Sequence, residues 1–574
     1  MKQLDAWKVS HGRDIGRGSI LENRLFTLAM LALSQSAFAV DPPGAGSQLL
    51  QVPAAPRLPP KSAPEIRVQR GAVAPAALAD DVKIVVRRLD IAAARTFPEA
   101  QLRAATGFVP GAQLNLAELR AMAAKVADFY HARGYFLAQA FLPAQDIRDG
   151  AVTISVLEGR YGAVGLRNQS KLADGLANRV LGGLDSGDTI ASGPLERRLL
   201  LLSDMPGVEV RSTLVPGASV GASDLIVEVA PGQRVGGSVD VDNQGNRYTG
   251  VKRVGATLNI NELSGYGDSA SVRAFTSADG LNYVRGAYQG QLGLAKLGLA
   301  YTSMDYRLGQ EFAALQASGN AKIGSVYTSY PLLRSRADNL YAQLNYDGKS
   351  FHDKSDAAGT VTDKDIKVWM ANLNGDARDG FGGGGVSNYS LTWTTGKVDI
   401  GTPNALQVDQ STARSNGRFN KLSFSAARLQ GWTENTSLFA SLSGQVASKN
   451  LDISEKMGLG GVGGVRAYPG GEGYADQGYV LNLEARRNLP AMAALPGQAQ
   501  LVLFIDTGTV SLNKEVWAPG ENRKTLSGAG LGLTWAGANG VALKLYYAHK
   551  LGDARAVSVP DAMGRVWLQA VKYF

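Results

Sequence analysis

Between Arg234 and Phe574 the chain is a succession of short segments in which apolar and polar residues alternate. A period of two makes strands with one apolar and one polar face, which suits lipid on one side and water on the other. Leu340, Ala342, Leu344 and Tyr346 alternate with Tyr341, Gln343, Asn345 and Asp347. Tyr479, Leu481, Leu483 and Ala485 alternate with Val480, Asn482, Glu484 and Arg486, and Leu422 to Ala426, Leu438 to Leu442 and Val541 to Tyr547 repeat the pattern. About 16 such segments fit into these 341 residues, roughly 21 residues for each strand and its connection. A large sandwich or solenoid is the soluble alternative. Against it stands the last strand, Arg565 to Phe574, which ends on an aromatic residue as outer-membrane barrels commonly do. Lys572 shares the face of Phe574 and Leu568 and is expected to snorkel to the interface.

Composition changes at the same point. Before Arg234 lie 15 of the 22 prolines but one tryptophan and three of the 20 tyrosines; after it lie six tryptophans, 17 tyrosines and 47 of the 69 glycines. Trp, Tyr and Gly enriched with proline suppressed is what a sheet with aromatic membrane girdles requires. The absence of cysteine excludes a disulfide scaffold, a thiolate metal site and a cysteine nucleophile. Net charge is +9 without any block of five Lys or Arg, so nucleic acid is not an expected partner.

Residues 1–39 carry Lys2, Lys8, Arg13, Arg17 and Arg24, an apolar run from Leu25 to Leu33, and Ala37-Phe38-Ala39. This pattern is that of a bacterial export signal, with an apolar run too short for a spanning helix. Its removal would leave a net charge of +7 (54 − 47). Beyond it no apolar stretch approaches the length of a membrane helix, so an exported chain of this kind is soluble or a barrel. Residues 40–81 are rich in Pro and Ala and are expected to form a linker, with helical turns only at Gln48 to Val52 that could plug a pore.

Two α+β units are expected in tandem, over 82–160 and 161–233. In the first, Val82 to Leu89 is a strand and a helix follows with Leu116, Leu119, Ala123, Val126 and Tyr130 on one face, capped by Asn115 with Glu118 three positions on. Strands Leu137 to Phe141 and Ala151 to Leu157 close it. The second has strand Gly162 to Leu166, helices Leu172 to Leu181 and Leu195 to Asp204, and strands Val208 to Val215 and Asp224 to Val229. Each packs helices on one face of a small sheet and leaves an edge that an extended peptide can join.

Several short patterns resemble those of one family. Gly134-Tyr135-Phe136, Leu142-Pro143-Ala144-Gln145, Asp149-Gly150 and Leu157-Glu158-Gly159 mark the first unit; Leu199 to Asp204, Pro206-Gly207-Val208, Pro216-Gly217 and Ser223-Asp224-Leu225 mark the second. Asp242-Asn243-Gln244-Gly245, Thr249-Gly250 and Gly265-Tyr266-Gly267-Asp268 open the third region. Val465-Arg466-Ala467-Tyr468 with Gly471-Glu472, and Phe504-Ile505-Asp506-Thr507-Gly508, complete the set. Together, over residues 82–574, the chain resembles the outer-membrane transporters of two-partner secretion, the haemolysin secretion/activation family (TpsB type).

The resemblance implies a transmembrane β-barrel of about 16 antiparallel strands (234–574) behind two polypeptide-transport-associated (POTRA) domains. It implies an outer-membrane pore, not an enzyme, without cofactor or metal. The POTRA domains would lie in the periplasm and bind a secreted exoprotein through its N-terminal secretion domain; the pore would pass it unfolded to the cell surface. Tyr135, Phe136, Gln145, Glu158, Pro206 and Gly207 are the expected recognition residues. Val465, Arg466, Ala467, Tyr468, Gly471 and Glu472 would form the tip of a loop folded into the lumen, with Ala467 standing where the family has glycine. Arg466 would pair there with Asp506, in the strand-13 motif of Phe504, Asp506 and Gly508. Phe574 would be the carboxy-terminal signal for the barrel assembly machinery that inserts the chain, as a monomer, among outer-membrane lipids. The alternative within the same superfamily is a factor that inserts other barrels, although such relatives usually carry more POTRA domains.

Other patterns carry less. Gly217-Ala218-Ser219-Val220-Gly221 spells a nucleophile elbow without the helix that should follow, and Gly458, Gly460 and Gly463 spell a dinucleotide fingerprint without a strand-to-helix transition. A turn and a loop are expected. His131, His352 and His549 fall on a helix, a loop and a strand, which supports neither a metal cluster nor a triad, and a hydrolase has no other constellation to use. A simple porin would have no use for the two units.

Overall fold

In the computed structural model, residues 42–56, 63–69, 82–491 and 496–574 are described; the expected export signal lies outside them. The first element is a short helix, α1 (Ala45–Leu49), three residues earlier than the turns expected at Gln48 to Val52. Pro53 disfavours helix at Val52. At the other end small residues let the helix approach its surroundings closely: a Cβ on Gly46 would lie 2.9 Å from Ile453 Cγ2.

Within the span expected to be a linker the structure has a strand, β1 (Glu65–Val68). The sequence reading missed it because four residues carry no measurable period; it is a strand only through its partner.

The first α+β unit comprises β2 (Ile84–Val86), β3 (Arg88–Ala92), α2 (Glu99–Thr106), β4 (Ala112–Leu114), α3 (Leu116–His131), β5 (Gln139–Phe141) and β6 (Ala151–Leu157). The strand expected over Val82 to Leu89 is therefore two, broken at Arg87, where the amides of Arg87 and Arg88 both donate to Gly150 O. α3 starts as its sequence dictates: Glu118 N donates to Asn115 Oδ1 and Asn115 N to Glu118 Oε2, each at 2.8 Å. Leu119, Ala123, Val126 and Tyr130 are its buried face. α2 and β4 were not anticipated. β6 lies between β3, parallel to it, and β5, antiparallel to it, while β2 and β4 pair separately.

The second unit comprises β7 (Arg160–Asn168), α4 (Asp174–Leu181), α5 (Ser192–Ser203), β8 (Val208–Pro216) and β9 (Ala222–Pro231). Its sheet runs β1-β8-β9-β7. β1 lies parallel to β8, with Glu65 opposite Arg211 and Val68 opposite Leu214, so the chain occupies one edge of this sheet itself. Gly217 to Gly221 is the β8–β9 turn.

From Val235 to Tyr573 sixteen strands, β10 (Val235–Asp242) to β25 (Gly564–Tyr573), form a closed barrel in which every strand pairs antiparallel with its sequence neighbours and β10 pairs with β25. Phe574 extends the closure: its amide and carbonyl exchange hydrogen bonds with Gly237, and its ring lies where a Cβ on Gly237 would be, 2.7 Å from Cζ. Lys572 Nζ reaches Asn539 O at the same end. Leu344, Tyr479, Leu483, Leu545 and Tyr547 face outward and are exposed, as the alternation requires. His352 is not in a loop but near the end of a strand, Asp338–Ser355, where Nδ1 lies 2.6 Å from Asp363 Oδ1.

Candidate functional site

One connection does not stay outside the barrel. The segment between β20 (Thr436–Ala447) and β21 (Gln477–Asn488) folds into the lumen, and its glycines are what let it do so. A Cβ on Gly464 would stand 2.2 Å from Leu459 O and one on Gly460 2.5 Å from Pro469 O, so the two limbs meet backbone to backbone. The glycine-rich stretch is a structural hairpin.

Arg466 stands near its tip and is buried. Its Nε and Nη2 reach Asp506 Oδ2 and Oδ1 at 2.8 and 2.7 Å, the forked geometry a planar guanidinium makes with a carboxylate, and its backbone amide adds a bond of 3.0 Å. Asp506 lies on β22 (Gly497–Ser511), the thirteenth strand of the barrel. Three residues absent from the sequence reading of this site complete it. Glu484 Oε1 accepts from Arg466 Nη1 at 2.7 Å, Asn482 Nδ2 donates to Asp506 Oδ1 at 2.8 Å and to Gly464 O at 2.9 Å, and Trp567 Nε1 donates to Arg466 O at 2.7 Å. Asn482 and Glu484 were visible as the polar face of their strand; what they face was not. Phe504 lies beneath the guanidinium, 3.6 Å from ring centre to Cζ.

The other motif residues pin the same loop. Val465, Ala467 and Tyr468 are fully buried, and Tyr468 OH donates to Ala554 O at 2.9 Å. Glu472 accepts from Lys524 Nζ, from the amides of Val557 and Ser558 at 3.0 and 2.9 Å, and from Ser558 Oγ at 2.7 Å. Gly471 has φ of +88°, a conformation that favours glycine. Gly508 leaves room for Leu459, whose Cδ1 would be 2.6 Å from a Cβ there. Ala467 is accommodated in the same way: its Cβ points at Gly528, where a second Cβ would be 2.5 Å away. At the loop base Glu455 pairs with Lys349 at 2.6 Å and Lys421 at 3.0 Å, and Asp452 with Lys364 at 2.6 Å. These charges are buried but paired, the condition on which charges persist away from bulk water.

α1 shares this lumen. Ala45 N donates to Asp353 Oδ1 at 2.8 Å, Thr249 Oγ1 to Gln48 Oε1 at 2.9 Å, and Arg253 Nη1 to Gln51 O at 2.9 Å. It is also tied to the loop: Gln51 Nε2 donates to Tyr474 OH at 2.8 Å, which donates to Ser47 O at 3.0 Å.

The six residues expected to recognise a partner fall at packed positions instead of on one open face. Tyr135 packs edge-on against Phe97, centroids 5.5 Å apart, and Phe136 packs against the core of the second unit. Gln145 exchanges two bonds of 2.8 Å with the backbone of Thr153. Glu158 is buried; burial pushes its carboxyl up, but bonds from the amides of Thr96 and Arg95 (2.6 and 2.7 Å) and the Tyr130 hydroxyl (2.9 Å) outweigh that and hold it below the usual carboxylate range. Pro206 and Gly207 form the turn before β8, and a Cβ on Gly207 would lie 2.9 Å from Glu262 Cβ of the barrel. What stays open nearby is backbone edge and the exposed Phe141 of β5.

A closed sixteen-strand barrel, an inward loop locked to its wall, a helix in its lumen and α+β units ahead of it define a POTRA-bearing outer-membrane transporter. The profile of the haemolysin secretion/activation protein family ShlB/FhaC/HecB matches residues 221–535, and that of the ShlB-type POTRA domain matches 84–159. The chain belongs to this family and is an outer-membrane two-partner secretion transporter. It is similar to the heme/hemopexin transporter protein HuxB of Haemophilus influenzae, 26% identical over 473 residues, 81% of this chain and 82% of HuxB. It is also similar to the outer membrane transporter CdiB of Dickeya dadantii, 23% identical over 62% of this chain and 63% of CdiB. Among solved structures, CdiB from Escherichia coli shares the fold with a TM-score of 0.68 at 19% identity, over 98% of this chain and all of that one. BamA from Haemophilus ducreyi lacking POTRA domains 1–3 gives a TM-score of 0.52 at 14% identity, over 86% of this chain and all of that one.

Proposed function

We propose that this chain takes a partner exoprotein from the periplasm by strand addition to its α+β units and passes it unfolded through the barrel, whose lumen is gated by α1 and the inward loop. One observation carries the reading: the lumen is occupied by two pieces of chain held to the wall largely by side-chain bonds, neither of which is part of the barrel ladder. Main-chain hydrogen bonds at a sheet edge provide affinity without demanding one sequence, and neighbouring side chains select the partner. The residues at Tyr135, Phe136, Gln145, Glu158, Pro206 and Gly207 hold those edges in place. At β8 the edge is taken by β1, so a client strand arriving there must displace it. The sequence carries no nucleotide-binding motif, and folding of the emerging partner outside the cell supplies the bias.

Arg466→Ala at equal barrel levels tests the gate. Secretion of the partner and single-channel conductance are both expected to change; if neither does, the loop is not the gate. Where the neighbouring reading frame encodes a large exported β-rich protein, that protein is the partner to co-express and assay in the medium. One feature favours the second reading, an assembly factor: β10 and β25 share five ladder pairs, whereas β10 and β11 (Arg253–Asn261) share eight. A barrel that opens there to release other barrels would, on depletion, lower total outer-membrane porin. A secretion pore leaves porin unchanged.

A further inference from the structure

The outer wall of the barrel carries one row whose composition lipid tails alone do not account for. It crosses six consecutive strands, β14 (Ala295–Arg307), β15 (Ala317–Arg334), β16 (Asp338–Ser355), β17 (Thr360–Asp379), β18 (Gly385–Ile400) and β19 (Gly417–Thr433). The ladder register sets side by side Tyr301, Gly324, Gly348, Lys367, Lys397 and Arg418. Directly opposed residues share a face. That face is outward, because the flanking Ala300, Ile323, Val368, Val398 and Phe419 are buried in the lumen. The row lies on the extracellular side of the wall, beyond the exposed Trp369 on β17 and Trp393 on β18.

Three cations directly opposed on adjacent strands repel one another, an arrangement that destabilises a sheet unless a counter-charge is supplied. Among the described residues Lys367 and Arg418 have no side-chain ion pair, and Lys397 only approaches Asp399, at 3.8 Å, with both side chains largely exposed. The neighbouring glycines add shape. A Cβ on Gly324 or Gly348 would meet nothing within 4 Å, so two adjacent strands are bare, a notch about 10 Å wide at the usual strand spacing. The exposed ring of Tyr301 bounds the notch on one side and the cation row bounds it on the other. One rung further out stand Lys322, Ser350, Asp365 and Asp399, whose two carboxylates confine an anion to the inner rung.

From this we infer a binding site for the phosphorylated headgroup of the glycolipid that forms the outer leaflet of the outer membrane. The phosphate oxygens accept charge-assisted hydrogen bonds from Lys367, Lys397 and Arg418. A sugar ring lies in the Gly324–Gly348 notch against Tyr301, and the acyl chains run down the wall past Trp369 and Trp393.

The test uses the full chain purified in detergent, titrated with bis-phosphorylated lipid A, with the same lipid after removal of its phosphates, and with phosphatidylglycerol, and read by native mass spectrometry. The wild type is expected to bind the phosphorylated glycolipid about tenfold more tightly than either comparison lipid, and Lys367→Gln with Lys397→Gln and Arg418→Gln to lose that preference. In lipid-free detergent the triple variant should be at least as heat-resistant as the wild type, since it removes a repulsion. Equal binding by wild type and triple variant overturns the site. So does phosphatidylglycerol binding as tightly as the glycolipid, which would make the row a general anion sink. If the triple variant does not fold, Gly348→Val decides: filling the notch should weaken the glycolipid several-fold and leave phosphatidylglycerol unchanged, and equal loss of both refutes the proposal.

Discussion

Ala467 points its Cβ at Gly528, on the facing wall strand Arg523–Gly537, where the absence of a side chain makes room for it. The substitution Gly528→Ala would put a methyl carbon 2.5 Å from Ala467 Cβ. Two such carbons rest at about 3.5–4.0 Å, so one must yield by more than about 1 Å. Neither has an easy path: Ala467 is fully buried, and a Cβ at 528 would also lie 3.1 Å from His549 O. Overpacking of this kind costs about 1–3 kcal/mol. The displacement also reaches Arg466, whose 2.7 and 2.8 Å bonds to Asp506 tolerate little movement. Ala467→Gly alone removes one buried methyl, worth about 0.8 kcal/mol, and needs no unusual torsion, since Ala467 is not at positive φ. The double variant should therefore be more stable than the sum of the singles by about 1–2 kcal/mol, within the coupling range of residues in contact. The residual approach to His549 O should keep it slightly below wild type. Urea unfolding of the barrel in detergent gives the four stabilities, and conductance traces give the state of the loop. Additivity within about 0.3 kcal/mol would refute the claim that residue 528 makes room for residue 467.

Asp506→Asn should weaken loop anchoring by about 3–5 kcal/mol if the pair is dry, and by less if lumen water reaches it, because it leaves Arg466 buried with only Glu484 as ionised partner; protease accessibility of the loop in detergent-solubilised protein measures this. Tyr474→Phe removes both bonds linking the loop to α1, and about 1–2 kcal/mol lost from the plug should appear as a roughly tenfold rise in open events in planar bilayers with secretion retained. Arg67→Pro, which takes one amide from β1 and fixes its φ, should free the β8 edge and increase cross-linking of a partner fragment to that strand. For Glu158 the folded carboxyl lies below its unfolded value, so its contribution is present above about pH 4.3 and is lost as pH falls through the lowered folded value. Hydrogen exchange in α3 and β6 of the intact protein should therefore accelerate on acidification, and Glu158→Gln should flatten that dependence while raising exchange at neutral pH.

What was legible in the sequence, and what was not, follows from the range of the interactions involved. The outward faces of the barrel strands and the Asn115 cap were legible because they depend on a period or on residues three apart. β1 was not, because Glu65 to Val68 is a strand only through Arg211 to Leu214, some 146 residues away (211 − 65). Arg466 and Asp506 were picked out by motif, but Glu484, Asn482 and Trp567 could be assigned only once the barrel had brought β21, β22 and β25 to one side of the lumen. The Pro/Ala-rich span misled for a related reason: composition described its lack of a core of its own, whereas α1 and β1 are ordered by other cores. That dependence is also what a gate needs. An element with little stability of its own, held by side-chain bonds such as Arg253 to Gln51 and Tyr474 to Ser47, can be released by a competitor that contributes only a few hydrogen bonds, while the ladder around it stays intact. On the proposed mechanism, the elements least legible in the sequence, the short plug and the added strand, are those that move during secretion, and the barrel strands, the most legible, are those that must not.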